Sequence, residues 1–527
     1  MNLAEILQNH ARQLPDVPAI VEAARRGRGR ITFAELDEAA ASAAGLLSDA
    51  GLCRGDTVLV FQRISVELYV ALAAIFRLGL VAMFVDPSAG RKHLDRCCEI
   101  RPPRALIASP RAHLLRLLST RLAAIPIKFV IGTRVPGAIS WSQAARSMRH
   151  CAIESVALEH PALLTFTSGS TGQAKAVLRT HGFLLEQHRV LQNCLRLKAG
   201  QVDLATMPVV LLSNLAAGVT SLIPDVDLRR PGAINPARLA RLMEEYSVVS
   251  SAASPALFER LTRYCAMRGM KFPGLRQLAT GGAPVFPRLL AQMQAMAPQA
   301  DVLAVYGSTE AEPIAHLAFQ QIDSSDQAAM AAGRGLLAGR PVGDIELRIL
   351  SDNWGRGIGP IGGAEFTAKC LPPEQPGEIV VSGPHVMSNH LTGDDEETGF
   401  QVDGTAWHRT GDAGYLDRRG RLWLLGRCAA RIEDRHGVVY PLAAEAPLYG
   451  NPHVRRAALA SRHGRRILLV EYFGRRNGAA PLDAVQLRDR LHLDELHICR
   501  QIPVDARHNA KIDYPRLYRM LDRQRQQ

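Results

Sequence analysis

Residues 167–177 concentrate side chains that bind anions: Thr167, Ser168, Ser170 and Thr171 with hydroxyls, Gly169 and Gly172 between them, and Lys175 with a positive charge. The two glycines permit backbone shapes closed to other residues, so several N–H groups can converge on one anion. The hydroxyls add donors and the lysine adds charge. An apolar, strand-like stretch at 163–166 leads directly into the run, and a strand-to-loop junction of this kind suits phosphate binding. The spacing is not that of a Walker A loop, which needs Gly-x-x-x-x-Gly-Lys-Ser/Thr. The competing reading is a Ser/Gly surface loop with a solvated lysine.

A second set of residues lies far downstream. Tyr415-Leu416 and Leu422-Trp423-Leu424-Leu425 flank Asp417-Arg418-Arg419-Gly420, a good hairpin turn. Folding back at that turn brings Asp412 close to Arg427. By residue type alone the two would form an ion pair.

The elements that must carry these residues alternate. Thr32 and Glu35 make a capping box for an Ala-rich helix running to about Gly51, where a left-handed stop fits. Residues 57–61 read as a strand buried on both faces. Residues 68–76 read as helix and 80–85 as strand. After the hydroxyl-rich run the rhythm resumes: helix 236–246, strand 248–252, helix 255–267, strand 275–280, helix 287–296 and strand 302–305. This predicts a largely parallel sheet covered by helices. The Gly- and Pro-rich stretch 352–376 reads as an ordered surface loop or a linker within a β-rich subdomain. Past Arg427 an Arg-rich α+β region is long enough for a small domain. The expected fold class is therefore α/β. A large domain, residues 1–426, would hold parallel sheets covered by helices plus a small β-barrel-like subdomain; a small mobile α+β domain, 427–527, would follow.

Composition narrows the function classes. A chain of 527 residues with 47% hydrophobic and 21% charged content is a multidomain globular protein. Its formal charge of +13 comes from scattered Arg and Lys with no basic run interleaved with aromatics, so a solvated basic surface is expected and no nucleic-acid partner. Nine cysteines without a Cys-x-x-Cys pair fit reduced thiols. The start, Met1-Asn2-Leu3-Ala4-Glu5, has neither the basic nor the apolar part of a signal peptide. The apolar stretch 68–85 is interrupted by Arg77 and Gly79 and reads as a buried helix and strand, not a transmembrane segment. A cytoplasmic protein is expected.

The run Phe166–Val177 resembles the phosphate loop of the acyl-adenylate-forming superfamily, which contains acyl-CoA synthetases, luciferases and peptide-synthetase adenylation domains. Ala174 and Ala176 stand where the family usually has Pro and Gly. Further segments match in family order over nearly the whole chain. Tyr306-Gly307-Ser308-Thr309-Glu310 is similar to the second core motif, Gly281-Gly282-Ala283-Pro284 to the adenine-binding turn, and Thr410-Gly411-Asp412 with Gly426-Arg427 to the ribose-binding pair. Arg507-His508-Asn509-Ala510-Lys511-Ile512 is similar to the C-terminal lysine motif. The resemblance implies ATP and Mg²⁺ as cofactors and acyl-AMP formation from a carboxylic acid. It places Thr167 to Gly172 and Lys175 on phosphates, Gly282, Ala283 and Tyr306 by adenine, and Asp412 and Arg427 on ribose. Thr309 would contact phosphate, Glu310 Mg²⁺, and Lys511 would swing over the reacting carboxylate and α-phosphate. A carboxylate at a strand's C-terminal end suits a hard divalent ion, and a lysine arriving on a small domain offsets charge as pyrophosphate leaves.

Within the superfamily, members that acylate coenzyme A carry a charged hinge residue two places after the ribose arginine and a lysine further on. Here those positions are Ala429 and Glu433. Segments 178–183, 223–225, 306–315, 407–409 and 503–512 look instead like the β-lactone synthetases of bacterial olefin biosynthesis, in which a β-hydroxyl displaces AMP. The expected substrate is a small-molecule carboxylic acid with an apolar acyl chain, a fatty or 3-hydroxy fatty acid. A pathway enzyme or carrier protein is a possible partner. The alternatives are an acyl-CoA or acyl-carrier-protein ligase and a catalytically silent nucleotide-binding homologue; Lys175, Glu310, Asp412, Arg427 and Lys511 together argue against silence. The apolar run 207–223 could line an acyl tunnel or belong to the core.

Overall fold

A computed structural model describes residues 1–23, 29–86, 90–146, 150–168, 174–228, 230–387, 398–473, 484–505 and 511–523. Its contacts divide the chain into two compact units, the first formed mainly by residues 1–225 and the second mainly by 226–388 and 396–527.

In the first unit, seven strands form a sheet in the order Ile139–Ser140, Ile127–Val130, Ala105–Ala108, Thr57–Phe61, Val81–Phe84, Pro161–Ser168 and Ala174–Thr180. All neighbours are parallel except the last two strands, which are antiparallel. Thr57–Phe61 is buried at every position, as an unbroken apolar run in a parallel sheet should be. The helix Phe33–Asp49 starts with the expected capping box: the Glu35 amide donates to the Thr32 hydroxyl at 3.2 Å, and the Thr32 amide to Glu35 at 2.8 Å. The helix Val66–Arg77 is buried, and Arg77 is paired there with Asp37 at 2.7 Å. Hence the most apolar stretch of the chain is core. No helix among the described residues is long and apolar enough to cross a membrane.

The second unit contains the sheet segment Ser250–Ala253, Gln277–Gly281 and Asp301–Tyr306, all parallel. It continues antiparallel through Ala315–Ala318, Leu336–Pro341, Leu422–Arg427, Thr405–Leu416, Gly377–Ser382 and Glu346–Leu350. Among the described strands Glu346–Leu350 pairs only with Gly377–Ser382, so the sheet stays open and no barrel closes among the described residues. That corrects the barrel-like expectation: barrel closure requires the last strand to bond back to the first. The Gly- and Pro-rich stretch, expected as loop or linker, contains a helix, Gly363–Lys369, whose Phe366 packs on Phe400 and Trp407. Tertiary burial of one aromatic ring gives that helix a stability its composition does not. The C-terminal residues add a sheet of Val454–Arg462, Arg465–Tyr472 and Glu495–Cys499. All nine cysteines are free thiols.

Candidate active site

In the second unit two parallel strands, Gln277–Gly281 and Asp301–Tyr306, end at the candidate site, at the carboxyl edge where α/β sheets bind ligands. Gln277–Gly281 lies beside Asp301–Tyr306 with Gly281 opposite Val305, so the turn at 281–284 and the segment starting at Tyr306 emerge side by side. A Cβ on Gly281 would stand 2.5 Å from the Val305 carbonyl, so only glycine allows the two strand ends to lie this close.

The hairpin forms as its turn residues require. Asp417 accepts from the amides of Arg419 and Arg421 at 2.9 and 2.8 Å, and the Arg421 guanidinium bridges to Asp326 at 2.7 Å. This sets Asp412 directly opposite Arg427 in the ladder. Arg427 Nε lies 3.1 Å from Asp412 Oδ1, and Tyr306 donates its hydroxyl to Asp412 Oδ2 at 2.9 Å. Burial, and then the Asp412 charge, push the Tyr306 hydroxyl well above the ordinary phenol range. The Asp412 charge in turn raises the Arg427 pKa, so the guanidinium keeps its charge at neutral pH. The Asp412 side chain is 17% exposed and that of Arg427 50%, leaving room for a hydroxyl-bearing ligand to share them. Behind them Arg409, expected only as part of a resemblance, is fully buried and pairs with Glu378 at 2.6 Å. Arg409 Nη1 also donates to the Arg356 carbonyl at 2.6 Å, so this pair anchors the 352–356 loop to the strand that carries Asp412. Gly411 sits at φ +66° with the Trp354 ring 2.8 Å from where a Cβ would be.

Gly282, Ala283, Tyr306, Asp412, Arg427 and Lys511 line one cavity of about 210 Å³. Thr309 and Glu310 follow Tyr306 in a tight turn, closed by mutual backbone bonds between Ser308 and Ala311. The Glu310 amide donates to the Ser308 hydroxyl at 3.3 Å, and the Glu310 carbonyl accepts from Met387 at 2.8 Å. Lys511 is fixed through its backbone: its amide donates to Asp505 Oδ1 at 3.0 Å and its carbonyl accepts from the Asp505 amide at 2.9 Å. The anion-binding run belongs to the first unit. Its flanks are strands, with Thr167 opposite Lys175 and Ser168 opposite Ala174. Gly169, Ser170, Thr171 and Gly172 lie outside the described residues.

Sequence reading missed several walls of this cavity, among them Leu336, Leu442, Glu445 and Tyr514. Nothing in spacing marks an apolar side chain as facing a ligand instead of the core. Glu445, a lone acid ending the short helix Pro441–Glu445, carried no signal either. Of the hinge positions, Ala429 falls in the turn Cys428–Ala430 and Glu433 is a 67%-exposed strand residue 3.4 Å from Arg431. Arg431 Nη1 itself reaches Asp352 at 3.2 Å, and the Tyr440 hydroxyl donates to the same carboxylate at 2.8 Å.

Comparison with known proteins agrees with this arrangement. The AMP-binding enzyme family matches residues 7–391. The olefin beta-lactone synthetase of Xanthomonas campestris pv. campestris is 32% identical, with 98% of this chain and 96% of that protein covered. The enzyme of the same name from Stenotrophomonas maltophilia is 31% identical, covering 98% and 97%. The amide bond synthetase McbA from Marinactinospora thermotolerans superposes with a TM-score of 0.80 over 98% of this chain and 99% of its own, at 20% identity, which speaks for the fold. Strand-end glycines, a tyrosine-bound acid–base pair and a family match over most of the chain lead to one conclusion: this protein belongs to the AMP-binding enzymes, the acyl-adenylate-forming ligases that activate acids with ATP.

Proposed function

We propose that the protein activates a 3-hydroxy fatty acid as its acyl-AMP and then closes the adenylate to a β-lactone. The carrying observation is the Asp412–Arg427–Tyr306 set on the wall of the cavity that Lys511 also lines. An ionised acid beside a guanidinium offers both acceptor and donors to the two ribose hydroxyls. Gly282 and Ala283 leave the adjoining wall flat for a base. Phosphates are assigned to Thr167, Ser168, Gly169, Ser170, Thr171, Gly172, Lys175 and Thr309.

The acid's carboxylate oxygen attacks the α-phosphorus in line, forming a P–O bond while the bond to pyrophosphate breaks. Lys511 offsets the charge that builds on the leaving and entering oxygens. Among the described residues no cluster of His, Cys, Asp or Glu forms a ready metal cage. Mg²⁺ asks for less, one or two carboxylates plus substrate phosphates, and Glu310 fits as that carboxylate; the ion would neutralise phosphate charge there. In the second step the β-hydroxyl oxygen bonds to the acyl carbon, AMP departs with its oxygen, and the hydroxyl proton passes to solvent. No Ser or Cys nucleophile is needed.

Two observations support the lactone fate. The two olefin beta-lactone synthetases match end to end. In addition, Ala429 and Glu433 supply no cation where thioester-forming relatives place one. A cytoplasmic setting and an apolar acyl chain belong to the same proposal. The test is product mass after incubation with ATP, Mg²⁺ and a 3-hydroxy fatty acid, without coenzyme A. Loss of one water supports the reading, whereas an acyl-AMP that persists until a thiol is added overturns it in favour of an acyl-CoA or carrier-protein ligase.

A further inference from the structure

One carboxyl on the wall of the cavity has no part in the roles above. Glu445 is 5% exposed, yet it lines the same cavity as Lys511, Tyr514, Arg427 and Tyr306. Its Oε1 accepts from the Tyr514 hydroxyl at 3.0 Å and from the Leu459 amide at 3.3 Å. Among the described residues its Oε2 has no hydrogen-bond partner. A buried carboxyl with one oxygen engaged and the other unbonded is costly unless the site uses it.

We propose that Glu445 is a positioning residue for adenylation, seating the segment that carries Lys511 on the nucleotide cavity through Tyr514. This rests on the roles given above to Lys511 and to the cavity. Tyr514 starts the helix Tyr514–Arg523, which is held by Leu517 and Leu521 in a core with Ala458, Ala460, Ile467 and Leu469. Just before it, the backbone bonds between Lys511 and Asp505 and the bridge between Val504 and Ile512 fix the lysine's main chain. The lysine segment and the helix start therefore behave as one piece. The Tyr514–Glu445 bond ties a side chain of that piece to the Pro441–Glu445 helix. That helix abuts the ribose strand: a Cβ on Gly426, next to Arg427, would lie 3.2 Å from Pro441 Cδ. Lysine, tyrosine, glutamate and ribose arginine thus form one mechanical series, and a small misplacement of a catalytic charge costs heavily in rate.

The tether carries its own titration. Burial pushes the Glu445 carboxyl up to about 7 from its ordinary 4.5, against the pull of the Tyr514 hydroxyl and the Leu459 amide. The groups around it are Tyr514 and Tyr518 on the 514–523 helix, Tyr449 on the following turn, Arg456 on the Val454–Arg462 strand, and Arg427, Asp412, Tyr306 and Lys511 around the cavity. Burial drives the Tyr449 and Tyr514 hydroxyls above their ordinary range, and the arginines stay charged. A phenol donates more strongly to a carboxylate than to a neutral carboxyl, so the tether tightens as pH rises through about 7.

The test is ATP–pyrophosphate exchange by the full chain from about pH 6 to about pH 8. Wild type is expected to gain activity through an inflection near neutrality, and Glu445→Gln to lose that inflection. Tyr514→Phe should lower kcat about tenfold with KM for ATP within about twofold. Added to Lys511→Ala, it should cost nothing more, because the tyrosine acts through the lysine. An inflection retained in Glu445→Gln, an unchanged kcat in Tyr514→Phe, or a further tenfold fall in the double variant would each overturn the proposal. If Glu445→Gln does not fold, Tyr514→Phe and the double variant decide. Amide hydrogen exchange at 511–514 is independent of any acid substrate: faster exchange in Tyr514→Phe is expected, and unchanged protection counts against the tether. Failure of wild type to exchange pyrophosphate with any acid would instead strike at the proposed function.

Discussion

Two cavities of the protein are built on opposite principles. The candidate nucleotide cavity of the second unit gathers charged and hydroxyl groups, with Asp412 and Arg427 in ladder register and Tyr306 bonded to the acid. The cavity of the first unit, about 90 Å³, is walled by Leu3, Leu7, Leu72, Phe76, Leu212 and Leu215. His188 and Ser213 form a polar pair on its wall, 2.9 Å apart. Burial, and then His10, lower the His188 pKa to about 4, so the ring is neutral in the physiological range. In the first case residue identity matters because each side chain has a directional partner. In the second, shape and volume matter, and neighbouring apolar residues can exchange. A motif can therefore mark a polar wall, whereas an apolar wall looks like core.

The contrast can be tested by substitution. Lys511→Ala should produce the largest effect, a loss of about 10²- to 10³-fold in adenylation with ATP affinity nearly kept, as for other single charge-stabilising donors. Single-turnover pyrophosphate release measures the first quantity and ATP titration the second; unchanged turnover would remove Lys511 from the chemistry. Asp412→Ala should weaken ATP binding roughly 10- to 100-fold, because the buried Tyr306 hydroxyl and Arg427 both lose their acceptor. Calorimetric titration gives that number, and a change under about twofold would reduce Asp412 to a structural ion pair.

On the apolar side Leu212→Trp overfills the small cavity and should cost about 1–3 kcal/mol of stability, with KM for ATP and for acids of every chain length little changed. A KM increase confined to long-chain acids would break the comparison, turning core into acyl tunnel. The smallest effect concerns pH. Glu445 has a folded-state pKa raised from 4.5 to about 7. Below about 4.5 both folded and unfolded chains hold the proton. From there through about 7 the unfolded carboxyl has lost it while the folded one keeps it, so stability falls; above 7 the difference is constant. Glu445→Gln should remove this part of the decline, read as a flatter dependence of Tm on pH between those values.

Much of the candidate site's geometry was legible in the chain. The turn Asp417–Gly420 predicted the pairing of Asp412 with Arg427, and the ladder has it. The helix Pro287–Met296 and the strand Thr57–Phe61 fall where periodicity puts them, because capping, proline and apolar runs act locally. The open sheet and the 363–369 helix escaped it, since strand partnership and the burial of Phe366 depend on residues far away in the chain.

By itself, the sequence determined the class of chemistry: glycines where strands must converge, an acid and a base one hairpin apart, and a lysine near the end. Only the tertiary structure decided that Glu445 faces the same cavity as Lys511, that Arg409 is a buried strut and that Tyr306 donates to Asp412. Those facts rest on desolvation and on contacts between segments distant in the chain. Neither has a local signature, because the same glutamate or arginine on a solvated face would be written with the same letter.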